Sequence, residues 1–138
     1  MNATPAMPDK YLVGHPAIDA QHQLLFMLFD EITLTLKGEE HTFSMEHVFA
    51  SLDTYVKTHF SFEEELMKTV TYSKKSDHLQ EHRALEGKVS AYAKRFTDAD
   101  DVESQRTIAE ETHAFLFKWL TEHIAQTDRE FSSVLKKE

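Results

Sequence analysis

The sequence predicts an all-α fold, an antiparallel up-down-up-down four-helix bundle with an N-terminal arm and a short C-terminal helix. Three observations predict it. The 138 residues suffice for one sizeable core. Three Gly and three Pro are too few for the many tight turns of an all-β chain. Apolar positions recur in alternating steps of four and three over four segments joined by short polar breaks, which favours antiparallel neighbours.

The first stripe runs through Ile18, His22, Leu25, Phe29, Ile32 and Leu36 and stops at Gly38. The second, Met45, Phe49, Leu52, Val56, His59, Glu63, Leu66 and Val70, predicts a helix over about 44–70, with Ser44 as a partial start signal. After the break at Ser73–Ser76, a third stripe follows through His78, His82, Leu85, Val89, Tyr92 and Phe96. Gly87 lies inside it, costing about 1 kcal/mol relative to Ala unless a neighbour packs there. The acidic segment Asp98–Asp101 separates it from a fourth stripe of Ala109, Thr112 or His113, Leu116, Leu120 and His123. One domain over 1–138 is therefore expected, with an arm at 1–14, the bundle at about 18–124 and a terminal helix at about 128–136. Tyr11, Leu12 and Val13 are expected to pack on the bundle end.

Composition narrows the chemistry. Without cysteine there is no disulfide, thiolate ligand or thiol nucleophile. A net charge of -9, with Lys and Arg scattered, argues against nucleic-acid binding. The leading MNATPAMPDK has no apolar run and no stretch approaches a membrane span, so a soluble, cytoplasmic protein is expected.

Every stripe carries histidine on its core face, and the second adds a carboxylate. Such groups are costly to bury unless paired or metal-bound. Chain direction brings them together: His22 starts the first helix, His59 and Glu63 end the second, His78 and His82 start the third and His123 ends the fourth, all at one end of an antiparallel bundle. The i, i+4 pairs His59/Glu63 and His78/His82 each project from one face. His123 and Asp128 are five apart, about 140° around a regular helix, so both reach the cluster only if the helix is interrupted. A break is predicted near Ala125–Thr127. His113, about 15 Å along the axis from His123, and His41 and His47, at the opposite end, lie too far away to join the cluster. His15, in a loop beside Pro16, is at best an outer partner.

The segments Ile18-Asp19-Ala20-Gln21-His22, His59-Phe60-Ser61-Phe62-Glu63-Glu64-Glu65-Leu66-Met67, His78-Leu79-Gln80-Glu81-His82 and Trp119 to Asp128 together resemble the hemerythrins, specifically their single-domain bacterial members, from about Val13 to the end. The resemblance implies a non-heme diiron centre with an oxo or hydroxo bridge. His78, His82 and His123 would bind one iron and His22 and His59 the other, with Glu63 and Asp128 bridging. It further implies reversible dioxygen binding, as hydroperoxide, at the one five-coordinate iron, for oxygen carriage (oxygen transport) or storage, with no catalytic residues. Leu25, Phe60, Trp119, Leu120 and Ile124 match the family's oxygen pocket. The alternative is a diiron sensor of oxygen, nitric oxide or redox state acting on a separate signalling partner. The arm departs from the family where His15-Pro16 and Tyr11 stand.

His78-Leu79-Gln80-Glu81-His82 also satisfies the H-x-x-E-H pattern of inverted zinc peptidases, with Glu81 as general base. That alternative leaves His22, His59, Glu63, His123 and Asp128 without a role. Imidazole and carboxylate donors suit iron but admit manganese, zinc or cobalt, so iron rests on the resemblance.

Overall fold

In the computed structural model, residues 11–39 and 44–137 are described. His41 and residues 1–10 of the expected arm lie outside them.

Helices α1 (Pro16–Leu36), α2 (Met45–Met67), α3 (Lys75–Asp98) and α4 (Val102–Trp119) form the bundle. A π-helical segment, Leu120–Asp128, continues α4 into the terminal α5 (Arg129–Lys137). Helix α1 packs on α2 and α4, and α3 packs on the same two, which closes the four-helix ring. Among the described residues, no helix is long and apolar enough to cross a membrane.

The starts and stops have local causes. Pro16 occupies the first turn of α1, where its missing N–H costs nothing, and His15 Nδ1 accepts from Ile18 N at 3.3 Å. Helix α1 therefore begins two residues before the first apolar position of its stripe. Gly38, at φ +72°, turns the chain away after Leu36. Ser44 caps α2 through His47 N, and Asp101 caps α4 through Ser104 N. Helix α2 stops at Met67, short of the expected Val70, and the link to α3 buries Tyr72.

The stripes become the core. Ile18, Leu25, Ile32, Leu52, Val56, Phe60, Leu85, Val89, Leu116 and Leu120 are all buried, and each fully buried large apolar side chain contributes roughly 1.5–3 kcal/mol. Phe29 and Leu36 of the first stripe and Leu66 and Val70 of the second pack against this core only partly buried. In the fourth stripe Thr112, not His113, faces inward, bonding to Ile108 O at 2.7 Å. A smaller cluster of Phe49, Phe96 and Ile108 seals the end of the bundle remote from the histidines.

At the other end, Tyr11 and Val13 are buried, whereas Leu12 is exposed. Val13 N donates to Asp19 Oδ1 at 2.8 Å, and Ser132 Oγ donates to Val13 O at 2.9 Å. Phe131 is fully buried from α5. These bonds clamp the start and end of the described chain over the histidine-rich end.

The predicted break near Ala125–Thr127 takes a different form. The helix does not stop there. It loosens to i→i+5 hydrogen bonding from Leu120 to Asp128, and α5 follows without a gap. Residues five apart then stack on one face, which satisfies by widening the helix the requirement that a break was expected to meet.

Candidate metal centre

Seven side chains from four helical segments meet at one end of the bundle: His22 from α1, His59 and Glu63 from α2, His78 and His82 from α3, and His123 and Asp128 from the π-helical segment. All are buried, none above 3% exposed. Two groups result. In one, Glu63, His78, His82, His123 and Asp128, and in the other, His22, His59, Glu63 and Asp128, have donor atoms within 4.8 Å of one another. Either group could hold a metal ion.

The carboxylates belong to both groups because each divides its oxygens. Glu63 Oε1 lies 3.1 Å from His82 Nε2 and 3.4 Å from His78 Nε2, while its Oε2 lies 3.1 Å from His59 Nε2. Asp128 Oδ1 lies 3.0 Å from His123 Nε2 and 3.1 Å from His78 Nε2, while its Oδ2 lies 2.9 Å from His22 Nε2. The i, i+4 spacing on α2 carries Glu63 to the level of His59, and the i, i+5 spacing of the π-helix does the same for Asp128 and His123.

Close approach here is not hydrogen bonding. The Nε2 atoms of all five histidines and all four carboxylate oxygens of Glu63 and Asp128 are buried without a hydrogen-bond partner. Buried polar atoms are rarely left this way. Here they share a common centre, an arrangement that would direct the ring-nitrogen lone pairs at a cation once the imidazole protons leave. The residues fit a metal.

The metal-free cluster is polarised accordingly. Burial opposes charge on His22, but the Asp128 and Glu63 carboxylates outweigh it and raise its pKa to about 9. His123, likewise opposed by burial, is raised to about 10 by Asp128 and Glu81. Burial favours the neutral acids, yet the surrounding imidazoles hold both Glu63 and Asp128 well below the usual carboxylate range. Cations would exchange with these imidazole protons.

Four of the five rings are anchored from behind. His59 Nδ1 donates to Gln21 Oε1 at 2.5 Å, His82 Nδ1 to Glu64 Oε2 at 3.0 Å and His123 Nδ1 to Glu81 Oε1 at 2.7 Å; His78 Nδ1 lies 3.0 Å from the Tyr72 hydroxyl. Assigned from this network, Nδ1 keeps its proton on metal binding and Nε2 is the nitrogen that would face the metal. His22 Nδ1 is buried with no partner. Sequence spacing named none of these anchors as such. Gln21 and Glu81 lie in segments already singled out, but Tyr72 carries no periodic signal because it sits in the link between helices. Glu81, the general base of the zinc-peptidase alternative, bonds the outer nitrogen of His123 and also accepts from Thr127 Oγ1 at 3.0 Å. It is turned away from the centre, which removes the basis of that alternative.

Of the five apolar residues singled out by resemblance, Phe60 and Trp119 lie against rings of the cluster. Leu25, Phe60, Leu120 and Ile124 are buried, and Trp119 is half-buried. Phe60 stacks on His82 at a ring separation of 3.7 Å, and Trp119 on His123 at 4.5 Å. The remaining described histidines stand apart. His15 caps α1. His47 is exposed in the first turn of α2. His113 stacks on Phe29 at 4.6 Å and lies 2.9 Å from Thr33 Oγ1.

Comparison with known proteins agrees with this geometry. Residues 13–135 match the family described as Hemerythrin HHE cation binding domain. A Bacteriohemerythrin of Pseudomonas aeruginosa is 30% identical over 120 residues, covering 87% of this chain and 74% of that protein. A Bacteriohemerythrin of Clostridium acetobutylicum is 29% identical over 126 residues, covering 89% and 95%. One from Stenotrophomonas maltophilia is 27% identical over 128 residues, covering 93% and 79%. The family match runs through every helix that supplies the cluster, and the chain belongs to the hemerythrin family, alongside its bacterial members.

Proposed function

We propose that this chain is a single hemerythrin-like domain that holds two iron ions and binds dioxygen reversibly, for oxygen carriage or storage. His78, His82 and His123 would hold one iron and His22 and His59 the other, with Glu63 and Asp128 bridging. One observation carries the reading: each carboxylate has one oxygen near the three-histidine group and the other near the two-histidine group. A single metal would need only one such group. The relatives named Bacteriohemerythrin support the choice of iron and of dioxygen.

When bound, the iron pair would supply the two electrons that dioxygen takes up, and the His22/His59 half would offer the smaller donor set. The chain's own residues do the rest. Glu63 and Asp128 hold the two halves at a fixed separation from buried, unsolvated positions. Leu25, Phe60, Leu120 and Ile124 would wall the oxygen pocket and exclude water, with Trp119 covering His123. No residue is assigned a catalytic role: Glu64 and Glu81, acids next to the ligands, bond outer ring nitrogens instead of facing the centre.

The test is an iron count with absorption spectra through cycles of oxygenation and degassing. Two irons per chain and a charge-transfer band that returns on each cycle are expected. Rapid irreversible oxidation would overturn oxygen carriage. Glu63→Ala should lose the paired iron, whereas His113→Ala should leave the spectrum unchanged.

A further inference from the structure

The outer anchors of the five histidines are divided unequally between the two halves. On the three-histidine half, every ring is held: His82 by the Glu64 carboxylate, His123 by the Glu81 carboxylate and His78 at the Tyr72 hydroxyl. The two carboxylates are themselves fixed. Glu64 pairs with Arg83, and Glu81 accepts from Thr127 Oγ1 at 3.0 Å. On the two-histidine half, His59 has only the neutral Gln21 amide, and His22 Nδ1 is buried without any partner.

The difference has a chemical consequence. An anionic acceptor draws the Nδ1 proton toward itself and places more electron density on Nε2, making the imidazole a stronger donor. It also fixes the tautomer and the ring plane before a metal arrives. An amide oxygen does this more weakly, and an unpartnered nitrogen does not do it at all.

Resting on the two-metal reading above, we propose that the halves load in order: the His78/His82/His123 half takes metal first and holds it tightly, and the His22/His59 half is exchangeable. Glu64 and Glu81 are the positioning residues that set the difference. The larger donor set of the first half acts in the same direction, so the contribution of the anchors must be isolated by changing them alone. At limiting iron, a form with one metal per chain accumulates.

Anaerobic titration of the metal-free full chain with ferrous iron, followed by native mass spectrometry and competition with a chromogenic chelator, tests this. Two resolved steps are expected. Glu64→Gln and Glu81→Gln keep a hydrogen-bond acceptor but remove the charge, and each should weaken the first step by roughly 10–100-fold with the second step unchanged. Gln21→Glu should tighten only the second step. Melting of each metal-free variant separates a folding defect from a binding effect, and the three substitutions are independent of one another. Two irons bound with equal affinity, or a first step indifferent to both Gln substitutions in folded protein, overturns the proposal while leaving two-metal binding intact. A wild-type chain that never takes a second iron overturns the two-metal reading itself, and this proposal with it.

Discussion

His123 and Asp128 are five residues apart, yet His123 Nε2 lies 3.0 Å from Asp128 Oδ1. On a regular α-helix they would point in directions about 140° apart. The π-helical segment from Leu120 to Asp128 removes that offset and lets one stretch of backbone supply both an imidazole and a bridging-type carboxylate. Functional sites are where such departures from regular helix concentrate.

Asp128 serves both halves because both of its oxygens face the cluster. Asp128→Asn keeps the size and replaces one oxygen by a nitrogen that donates instead of accepting. Iron content should fall from two per chain to one or fewer, with helical circular dichroism retained. Elemental analysis together with the far-ultraviolet spectrum checks this. Retention of two irons would show that Asp128 does not bridge.

Phe60 has no exposed surface and lies nearly parallel to His82, at an interplanar angle of 4°. Phe60→Ala should cost about 3–5 kcal/mol in urea unfolding, from lost burial and the cavity left behind. It should also speed decay of the oxygenated form, since water gains access to the centre. Decay of the charge-transfer band in air gives that rate, and an unchanged rate would limit Phe60 to a packing role.

Gly87 sits within α3, and a Cβ built there meets nothing within 4 Å. No close packing compensates for its entropy. Gly87→Ala should therefore stabilise the protein by about 1 kcal/mol, raising the melting temperature by roughly 4 °C, without altering iron content. Calorimetry decides the sign.

The metal-free protein should be stable over a limited pH range. His22 and His123 have folded-state pKa values of about 9 and about 10, above their ordinary value of 6.5. Their stabilising effect is full below 6.5 and is lost as the pH rises through 9 and 10. Glu63 and Asp128 are shifted down, so their contribution is present above the ordinary carboxylate range and is lost on acidification. Stability should peak between about pH 5 and 7 and fall on both sides. Iron should flatten the alkaline limb, because bound imidazoles no longer exchange that proton. Denaturant midpoints across pH, with and without iron, measure both limbs.

Much of this protein was legible in its sequence. Four stripes of period near 3.6 define the helices, since burial of one face is the main force ordering them. Chain direction in an antiparallel bundle then brings His22, His59, Glu63, His78, His82 and His123 to one end. Even the irregularity before Asp128 is demanded by arithmetic, because no regular α-helix aligns positions five apart. What tertiary structure alone decided is the form of that irregularity and the support behind the ligands. The spacing does not say whether the helix breaks or widens; here it widens and runs on into α5, whose Phe131 and Ser132 are buried, Ser132 bonding Val13 O between opposite ends of the described chain. Whether an imidazole is held by a carboxylate, an amide, a phenol or nothing depends on side chains such as Glu81 and Tyr72, whose positions follow from helix rotation and a loop path. Local periodicity carries no information about either.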